Sequence, residues 1–473
     1  MSVVRWETGM EAIRIQGGHR FRLKHRPSSE CANREAPKTV AFAPRGIEGL
    51  KARMKVKEGD TVKRGDLIVE HKRNPNITFT APASGTIKEI QYGPRRRLDA
   101  VVIELAGDDA KDFGSHERGA LAGLGREKVV EKLIEAGLWH RLMAYPSNEI
   151  APVPGYQPPA PDEHSEPPVP DVIQSLYVSA CATEPHLPSV EVVLQGNEEF
   201  FAAGLEVLKQ IPLGKTYLVT VDGQKVPSAA SSVTGVTQKQ LQNKYPAENT
   251  GVQVYYTERL KKGQVAAGLK AEDVIDIGHL FLEGTVRTER TYCLGGDGAN
   301  DKKHFKGHIG LKVSDLLSQD VAEDTRLIAG GILTGLTVGA DDYLSPYDSA
   351  VQVMKEDRER TLLHFVRLGM EAFSLHRLWP SGLLGGDKEY EVTTSNNGEH
   401  RACIQCAKCI DVCPTDLMPN IVFKAALSGD IEKMEQVGVI DCTDCGLCTF
   451  VCPSKIELTQ IISDGKALIK KEG

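Results

Sequence analysis

Apolar and polar residues alternate in short runs over residues 39–105, and Gly-Asp turns separate the runs. Alternation with a period of two between such turns predicts β-strands that bury one face. The predicted strands include Lys55–Lys57, Leu67–Glu70 and Val101–Glu104. Turns are predicted at Gly59-Asp60 and Gly65-Asp66, because glycine and aspartate suit a reversal of the chain. This part of the chain therefore predicts a small β domain.

The spacing of apolar residues becomes helical over Lys128–Ala144, with a turn at Gly137. Residues 146–170 follow and contain nine prolines. Proline lacks the backbone donor that a helix or a central strand needs. We therefore expect an amphipathic helix that leads into an extended linker.

From Asp171 onward, strand-like and helical patterns alternate, which predicts a parallel α/β domain with Rossmann-like layering. The predicted strands are Leu176–Ala180, Thr216–Val221 and Val252–Tyr256, and the predicted helices are Glu198–Ile211 and Val274–Leu282. The first strand leads into Cys181-Ala-Thr-Glu-Pro185 and not into a G-x-G-x-x-G loop. Dinucleotide binding is therefore not predicted.

Residues 287–350 predict a mostly β segment, with glycine clusters at Gly295–Gly298 and Gly330-Gly331 that favour turns. His304 and His308 stand four residues apart beside lysines, and we favour a loop there over a metal site. Arg358–Met370 predicts a helix. The chain is thereby divided as follows: 1–145, a barrel-like domain with its helix; 146–170, a linker; 171–286, the Rossmann-like domain; 287–350, the second β domain; 351–395, a helical connector; and 396–473, a cysteine-rich domain.

Composition narrows the class of protein. The 473 residues call for three or four domains, and 41% apolar with 26% charged residues is ordinary for a globular protein. The net charge of −7 argues against a nucleic-acid partner. The N-terminus lacks the apolar core of a signal peptide, so we expect a reducing, cytoplasmic setting for the eleven cysteines.

Eight of those cysteines form two arrays near the C-terminus. They are Cys403, Cys406, Cys409 and Cys413, before Pro414, and Cys442, Cys445, Cys448 and Cys452, before Pro453. This is C-x2-C-x2-C-x3-C-P written twice, which is typical of two-cluster ferredoxins. The arrays predict two [4Fe–4S] clusters held by a helical ferredoxin-like domain, and zinc or an empty, degenerate site are the alternatives.

The ferredoxin pattern also predicts crossed ligation, because the fourth cysteine of each array binds the other cluster. The first set of ligands would be Cys403, Cys406, Cys409 and Cys452, and the second set would be Cys442, Cys445, Cys448 and Cys413. Between the arrays, Leu417–Val437 predicts a helix that is interrupted near Ser428-Gly429.

Two resemblances extend these predictions. V-K-E-G-D at residues 56–60 and A-P-A-S-G at residues 81–85 resemble the barrel-sandwich fold of biotinyl and lipoyl domains. The modified lysine of that family would correspond to Lys72, but the loop around Lys72 departs from the family motif. We therefore expect an unmodified lysine and a structural barrel.

The same two segments, together with Gly137-Leu-Trp139 and Cys448-Thr-Phe-Val-Cys452-Pro453, resemble the A subunits of sodium-translocating NADH:quinone oxidoreductases. That family is related to the C subunits of Rnf complexes. The resemblance implies a barrel-sandwich domain, a Rossmann-like domain, a β-grasp domain and a helical C-terminus. It further implies quinone as substrate and a peripheral position on the inner face of the cell membrane, held by the other subunits of the complex.

Two features depart from the relatives. Flavin-binding relatives carry a glycine-rich loop where this chain has Trp139-His-Arg-Leu-Met-Ala144, so no tightly bound flavin and no direct NADH oxidation are expected. Both cysteine arrays are intact, whereas A subunits keep only remnants of them. The sequence thus predicts an electron-transfer subunit that is inactive alone. An Rnf-type subunit passing electrons between NADH and ferredoxin, or a docking scaffold without a redox role, are the alternatives.

Overall fold

The computed structural model describes residues 12–47, 50–156, 172–224, 228–261, 263–317, 324–356, 358, 380, 388–391, 394 and 398–472. The predicted helix Arg358–Met370 and most of the predicted linker lie outside these residues. The predicted domain boundaries stay a proposal, and three strands described below do not follow them.

A barrel-sandwich of two antiparallel sheets forms the first β domain. One sheet has the strand order Thr39–Phe42, Leu98–Leu105, Gly85–Tyr92, Thr61–Val62, and the other has the order Ala52–Met54, Leu67–His71, Thr78–Thr80. The predicted turns form as expected, since the Asp60 and Asp66 carboxylates each accept the backbone N–H three residues earlier. The predicted strand Lys55–Lys57 is wrong, because the pairing with Leu67–His71 ends at Met54.

The helix after the barrel spans Arg126–Glu135 and is followed by a 3-10 turn at Trp139–Arg141. The strand Met143–Tyr145 comes next and pairs with the α/β sheet. It lies within the segment that the sequence assigned to the barrel domain and its helix. Its place in that sheet is set by backbone hydrogen bonds to the strand Val265–Lys270, which is distant in the chain. The spacing of apolar residues near Met143 does not indicate this pairing.

The α/β domain has a five-stranded sheet that is parallel except for its last strand. Its order is Val236–Leu241, Thr216–Val221, Ile173–Ser179, Val265–Lys270, Met143–Tyr145. Two helices, Glu198–Leu208 and Ala271–Glu283, pack against each other beside this sheet. A Cβ on Gly278 would lie 1.8 Å from the Phe200 carbonyl oxygen, so glycine permits this close approach.

One predicted strand of this domain is wrong. Val252–Tyr256 belongs to the helix Thr250–Thr257, and the parallel strand instead spans Val265–Lys270. The Asn249 side chain caps the helix by accepting the Gly251 N–H, and this cap outweighs the strand preference of the β-branched and aromatic residues. The short helices of the domain span Val190–Leu194 and Ser228–Ser231.

The second β domain is a six-stranded mixed sheet. Its order is Cys31–Asn33, His304–His308, Glu289–Gly295, Ala350–Lys355, Thr325–Ala329, Leu336–Val338, and one short helix spans Val313–Leu316. The first strand comes from the segment before the barrel, and Ala350–Lys355 extends past residue 350. The sheet therefore joins parts of the chain that the sequence placed in three different segments.

Buried ion pairs hold these domains together. Asp273, in the first turn of Ala271–Glu283, lies 3.2 Å from the Arg141 guanidinium and 3.1 Å from that of Arg290. Arg287 pairs with Glu272 in the same turn at 3.0 Å. Carboxylates at a helix N-terminus are favoured by the helix dipole, and removing one partner of such a pair costs about 3–5 kcal/mol.

The C-terminal module is helical. Its helices span Lys408–Val412, Pro419–Ser428, Ile431–Gln436, Leu447–Phe450 and Leu458–Glu472. The predicted interruption near Ser428-Gly429 is confirmed: Gly429 adopts a left-handed conformation that ends one helix, and the Asp430 side chain caps the next by accepting the Lys433 N–H.

Candidate iron–sulfur site

The two cysteine arrays share one backbone conformation. In each array a loop carries the first two cysteines, a short helix carries the third, and the fourth follows that helix. Residues with positive φ recur at matching places: Gln405 and Asp444, Ala407 and Gly446, and Asp416 and Lys455. Left-handed residues turn successive backbone N–H groups toward one side, which suits an anionic cluster. The loop shape thus repeats along with the cysteine spacing.

The eight cysteines line two separate cavities. We call the first cavity the one lined by Cys403, Cys406, Cys409 and Cys452, and the second cavity the one lined by Cys413, Cys442, Cys445 and Cys448. Each cavity therefore takes three cysteines from one array and the fourth from the other.

The rest of both linings is largely apolar. Ile404, Phe423, Ile456 and Leu458 contribute to the first cavity, and Leu417, Val422, Leu447 and Ile462 contribute to the second. Such a shell limits the access of water to the sulfurs and is one of the protein's means of setting a cluster potential. Four thiols in an apolar shell fit a [4Fe–4S] cluster.

Within the described residues, no three His, Cys, Asp or Glu side chains are arranged to hold a single metal ion. A cluster spreads its irons over a cube, so its ligands surround a volume and do not need to converge on one point. The two cavities have that form.

Burial changes the acidity of the thiols around the second cavity. It raises the pKa of Cys448 to about 11 and that of Cys442 to about 12, where Asp444 adds to the effect. A buried thiolate needs a compensating cation, and iron ligation supplies it with release of the thiol proton.

Side chains near the second cavity can bond to its sulfurs. The Thr459 hydroxyl lies 3.5 Å from Cys448 Sγ, and the Thr415 hydroxyl lies 3.7 Å from Cys413 Sγ. Lys466 donates to the Cys442 carbonyl and pairs with Asp444 at 2.6 Å. Hydroxyl donors and a nearby cation stabilise charge on sulfur and so shift a cluster potential.

The second cysteine loop is fastened to the α/β domain. The Tyr245 hydroxyl donates to the Cys445 carbonyl at 2.6 Å, and the Asn249 side-chain amide donates to the Thr443 carbonyl at 2.9 Å. Sequence reasoning missed both residues. Asn249 shows a signal only as a helix cap, and Tyr245 carries no local signal at all.

The N-terminal segment reaches the other array. The Gly18 N–H donates to the Val412 carbonyl at 2.8 Å. A Cβ on Gly17, which has φ of 61°, would lie 2.2 Å from the Cys413 carbonyl oxygen. Glycine at position 17 therefore permits the chain to pass against the fourth cysteine of the first array.

The other residues singled out from the sequence lie elsewhere. The loop predicted at His304 and His308 is wrong, since both lie in the strand His304–His308. His304 bonds to the Ser189 N–H and the Ser28 carbonyl, and His308 bonds to the Ile309 carbonyl. Trp139 is fully buried and donates to the Ala151 carbonyl at 2.9 Å. Lys72 is exposed at the surface of the barrel. None of these contacts brings its residue to the cysteine cavities.

Fold and site together define a class: a multidomain protein that carries a ferredoxin-type module on a barrel-sandwich domain and an α/β domain. Three family descriptions match the chain. They are the NqrA N-terminal barrel-sandwich hybrid domain over residues 13–106, the NqrA second alpha/beta domain over 124–286, and the 4Fe-4S dicluster domain over 402–457.

Full-length relatives give the particular family. The A subunit of the Na(+)-translocating NADH-quinone reductase of Marinomonas sp. is 32% identical over 94% of this chain and 97% of its own length. The A subunits of the same enzyme from Pseudomonas aeruginosa and Neisseria meningitidis are each 32% identical over 98% of this chain and 100% of theirs. The chain belongs to this family of A subunits, which confirms the resemblance and the fold class predicted from the sequence.

Among solved structures, an NAD+-reducing [NiFe]-hydrogenase in the H2-reduced state matches with 13% identity and a TM-score of 0.30, over 38% of this chain and 40% of that one. A likeness this low carries no argument. Across the described residues, no helix is long and apolar enough to cross a bilayer.

Proposed function

We propose that the chain is an electron-transfer subunit of a sodium-translocating NADH-quinone reductase and that it relays electrons through two [4Fe–4S] clusters. The observation that carries the proposal is the distribution of the eight cysteines over two apolar cavities, in which each array contributes its fourth cysteine to the cavity of the other. When bound, such clusters take up and release single electrons.

The residues have separate roles in this proposal. Cys403, Cys406, Cys409 and Cys452 hold one cluster, and Cys413, Cys442, Cys445 and Cys448 hold the other. Thr459 and Lys466 stabilise charge on the second set of sulfurs. Because each array contributes to both clusters, the loops are also tied to one another, and loss of either cluster loosens the module.

The relatives' name supports the remaining parts of the proposal. They are described as subunits of an NADH-quinone reductase, and we infer that this chain docks on membrane subunits of such a complex at the cytoplasmic face and serves its quinone side. Lys72 is unmodified and the isolated chain holds no flavin. Stoichiometric flavin that is bleached by NADH would favour an Rnf-type role.

Metal content and paired cysteine variants test the proposal. Anaerobically purified protein should contain about eight irons and eight acid-labile sulfides, whereas stoichiometric zinc without sulfide would overturn it. Cys413→Ser and Cys445→Ser should disturb one EPR signal, and Cys452→Ser and Cys406→Ser the other. If Cys413→Ser and Cys406→Ser change the same signal, each array holds its own cluster and crossed ligation is wrong.

One observation favours a second candidate, a docking scaffold whose clusters only stabilise the module. Four side chains of the body, Tyr145, Asn148, Tyr245 and Asn249, hydrogen-bond to residues 441–445, and such contacts suit a structural joint. Rapid-freeze EPR of the whole complex separates the two, because a relay requires both signals to appear and decay during turnover.

A further inference from the structure

A cavity of about 560 Å³ opens at the carboxyl edge of the parallel sheet. The loop after Ile173–Ser179, over residues 182–189, lines one side of it, and residues 243–245 line another. Ile173–Ser179 lies between Thr216–Val221 and Val265–Lys270, so the strand order reverses beside it. Ligands of open α/β sheets bind at such a switch point, and the volume is typical of small-molecule sites.

The lining of this cavity is strongly basic. Arg20, Arg22, Arg26 and Lys244 contribute to it. Arg20 donates to the Asn243 carbonyl, and Arg26 donates to the Leu23 and Phe21 carbonyls. Among ion pairs between described residues, none involves Arg20 or Arg26. These two guanidinium groups therefore bring positive charge to the cavity without being held in a salt bridge by a described carboxylate.

Two carboxylates also line the cavity, Glu184 and Glu389. Glu184 accepts the Leu333 N–H at 2.8 Å, the Thr334 N–H at 3.0 Å and the Thr334 hydroxyl at 2.8 Å. It is thus held by the loop of the second β domain and does not pair with the cations. Burial raises the pKa of Glu184.

Lys244 lies in a setting that disfavours its own charge. Burial and the nearby Arg14 both lower the pKa of its ammonium group. A bound anion would reverse this effect by pairing with the ammonium. Beside these cations, the Phe21 and Tyr245 rings pack edge to face with centroids 5.8 Å apart, and both line the cavity.

We propose that this cavity binds a small phosphate-bearing ligand of the nucleoside diphosphate class. The phosphates lie against Arg20, Arg26 and Lys244, since guanidinium groups bond phosphate oxygens in pairs. The base lies at the edges of the Phe21 and Tyr245 rings, both of which are buried. The lining of this cavity includes none of the eight cysteines, so its existence does not depend on the proposed electron relay.

Calorimetric titration of the full-length protein tests the site, with ADP, pyrophosphate and inorganic phosphate as probes. ADP should bind more tightly than phosphate, and its affinity should fall as salt rises. Arg26→Gln and Lys244→Gln should each weaken ADP at least about tenfold. Lys88→Gln, which removes an exposed cation on the barrel, is the matched control and should change nothing. Circular dichroism confirms that each variant is folded.

Several outcomes would overturn the proposal: no binding of ADP or pyrophosphate at millimolar concentration, equal losses in Lys244→Gln and Lys88→Gln, or binding to phosphatidylglycerol vesicles but to none of the soluble probes. The last result would mean that the basic surface meets a lipid headgroup. If Arg26→Gln is unfolded, the test rests on Lys244→Gln. The Lys244 side chain is only half-buried, so we expect this variant to fold.

Discussion

The two cysteine cavities have the same chemistry but opposite surroundings. In the first cavity, Cys406 is exposed and the neighbouring Ile404 side chain is 67% exposed. In the second, Leu447 is fully buried and the loop bonds to Tyr245 and Asn249 of the α/β domain. The first cavity therefore opens toward the surface, and the second lies against the body.

This difference suggests separate duties for the two sites. A cluster near the surface can exchange electrons with another protein, whereas a buried cluster has its potential set by fixed neighbours. The cysteine spacing is identical in both arrays, so it cannot encode the difference. The contrast comes from what packs on each loop.

The largest expected effect concerns resistance to chelation. With a chelator and mild oxidant, the EPR signal that Cys406→Ser changes should be lost at least about tenfold faster than the signal that Cys445→Ser changes, because solvent reaches the first cavity more easily. Iron release measured alongside the two signals checks this. Equal rates would mean that the contrast in exposure has no chemical consequence.

The second prediction concerns the pH dependence of stability that comes from Glu248, a buried carboxyl group three residues after Tyr245 in the chain. Burial, with the neighbouring Glu184, raises the pKa of Glu248 from 4.5 to about 7. Between these values the unfolded chain loses this proton while the folded chain keeps it, so the free energy of unfolding falls as pH rises through this window and then levels off.

Glu248→Gln should abolish this fall and leave the variant about 3 kcal/mol more stable than the parent at pH 8. The glutamine can still accept the Glu184 N–H and donate to Thr183, the groups that Glu248 bonds. Denaturation midpoints from pH 5 to pH 8 measure the effect. Glu206→Gln, which changes a carboxylate paired with Lys209, is the control, and a parallel pH profile for both variants would contradict the prediction.

The smallest effect should come from Tyr245→Phe, which removes one hydrogen bond to the Cys445 carbonyl. The loss is worth about 1 kcal/mol, so amide exchange in residues 442–450 should rise about fivefold. Tyr156→Phe removes a similar bond, at 2.7 Å to the Arg73 carbonyl in the barrel, and should leave this segment unchanged. Unchanged exchange in Tyr245→Phe would show that the other contacts hold the loop alone.

Local patterns predicted much of the molecule. The strand Thr216–Val221 is as expected, and the two Gly-Asp turns and the break at Gly429 follow from side chains a few residues away. Val252–Tyr256 was predicted wrongly because its residues favour a strand in isolation, while a cap and packing on the sheet make them helical. Predictions failed where a distant partner decided the structure.

The sequence by itself determined the two cysteine arrays and the family, because these depend on residues close together in the chain. Tertiary structure alone decided that Cys31–Asn33 joins the sheet of the second β domain and that Tyr245 hydrogen-bonds to the second cysteine loop. It also brought Arg20 and Lys244 to one cavity. Contacts between residues far apart in the chain form when buried surfaces fit each other in shape and charge. The periodicity of apolar residues predicts local helices and strands but not which surfaces will meet.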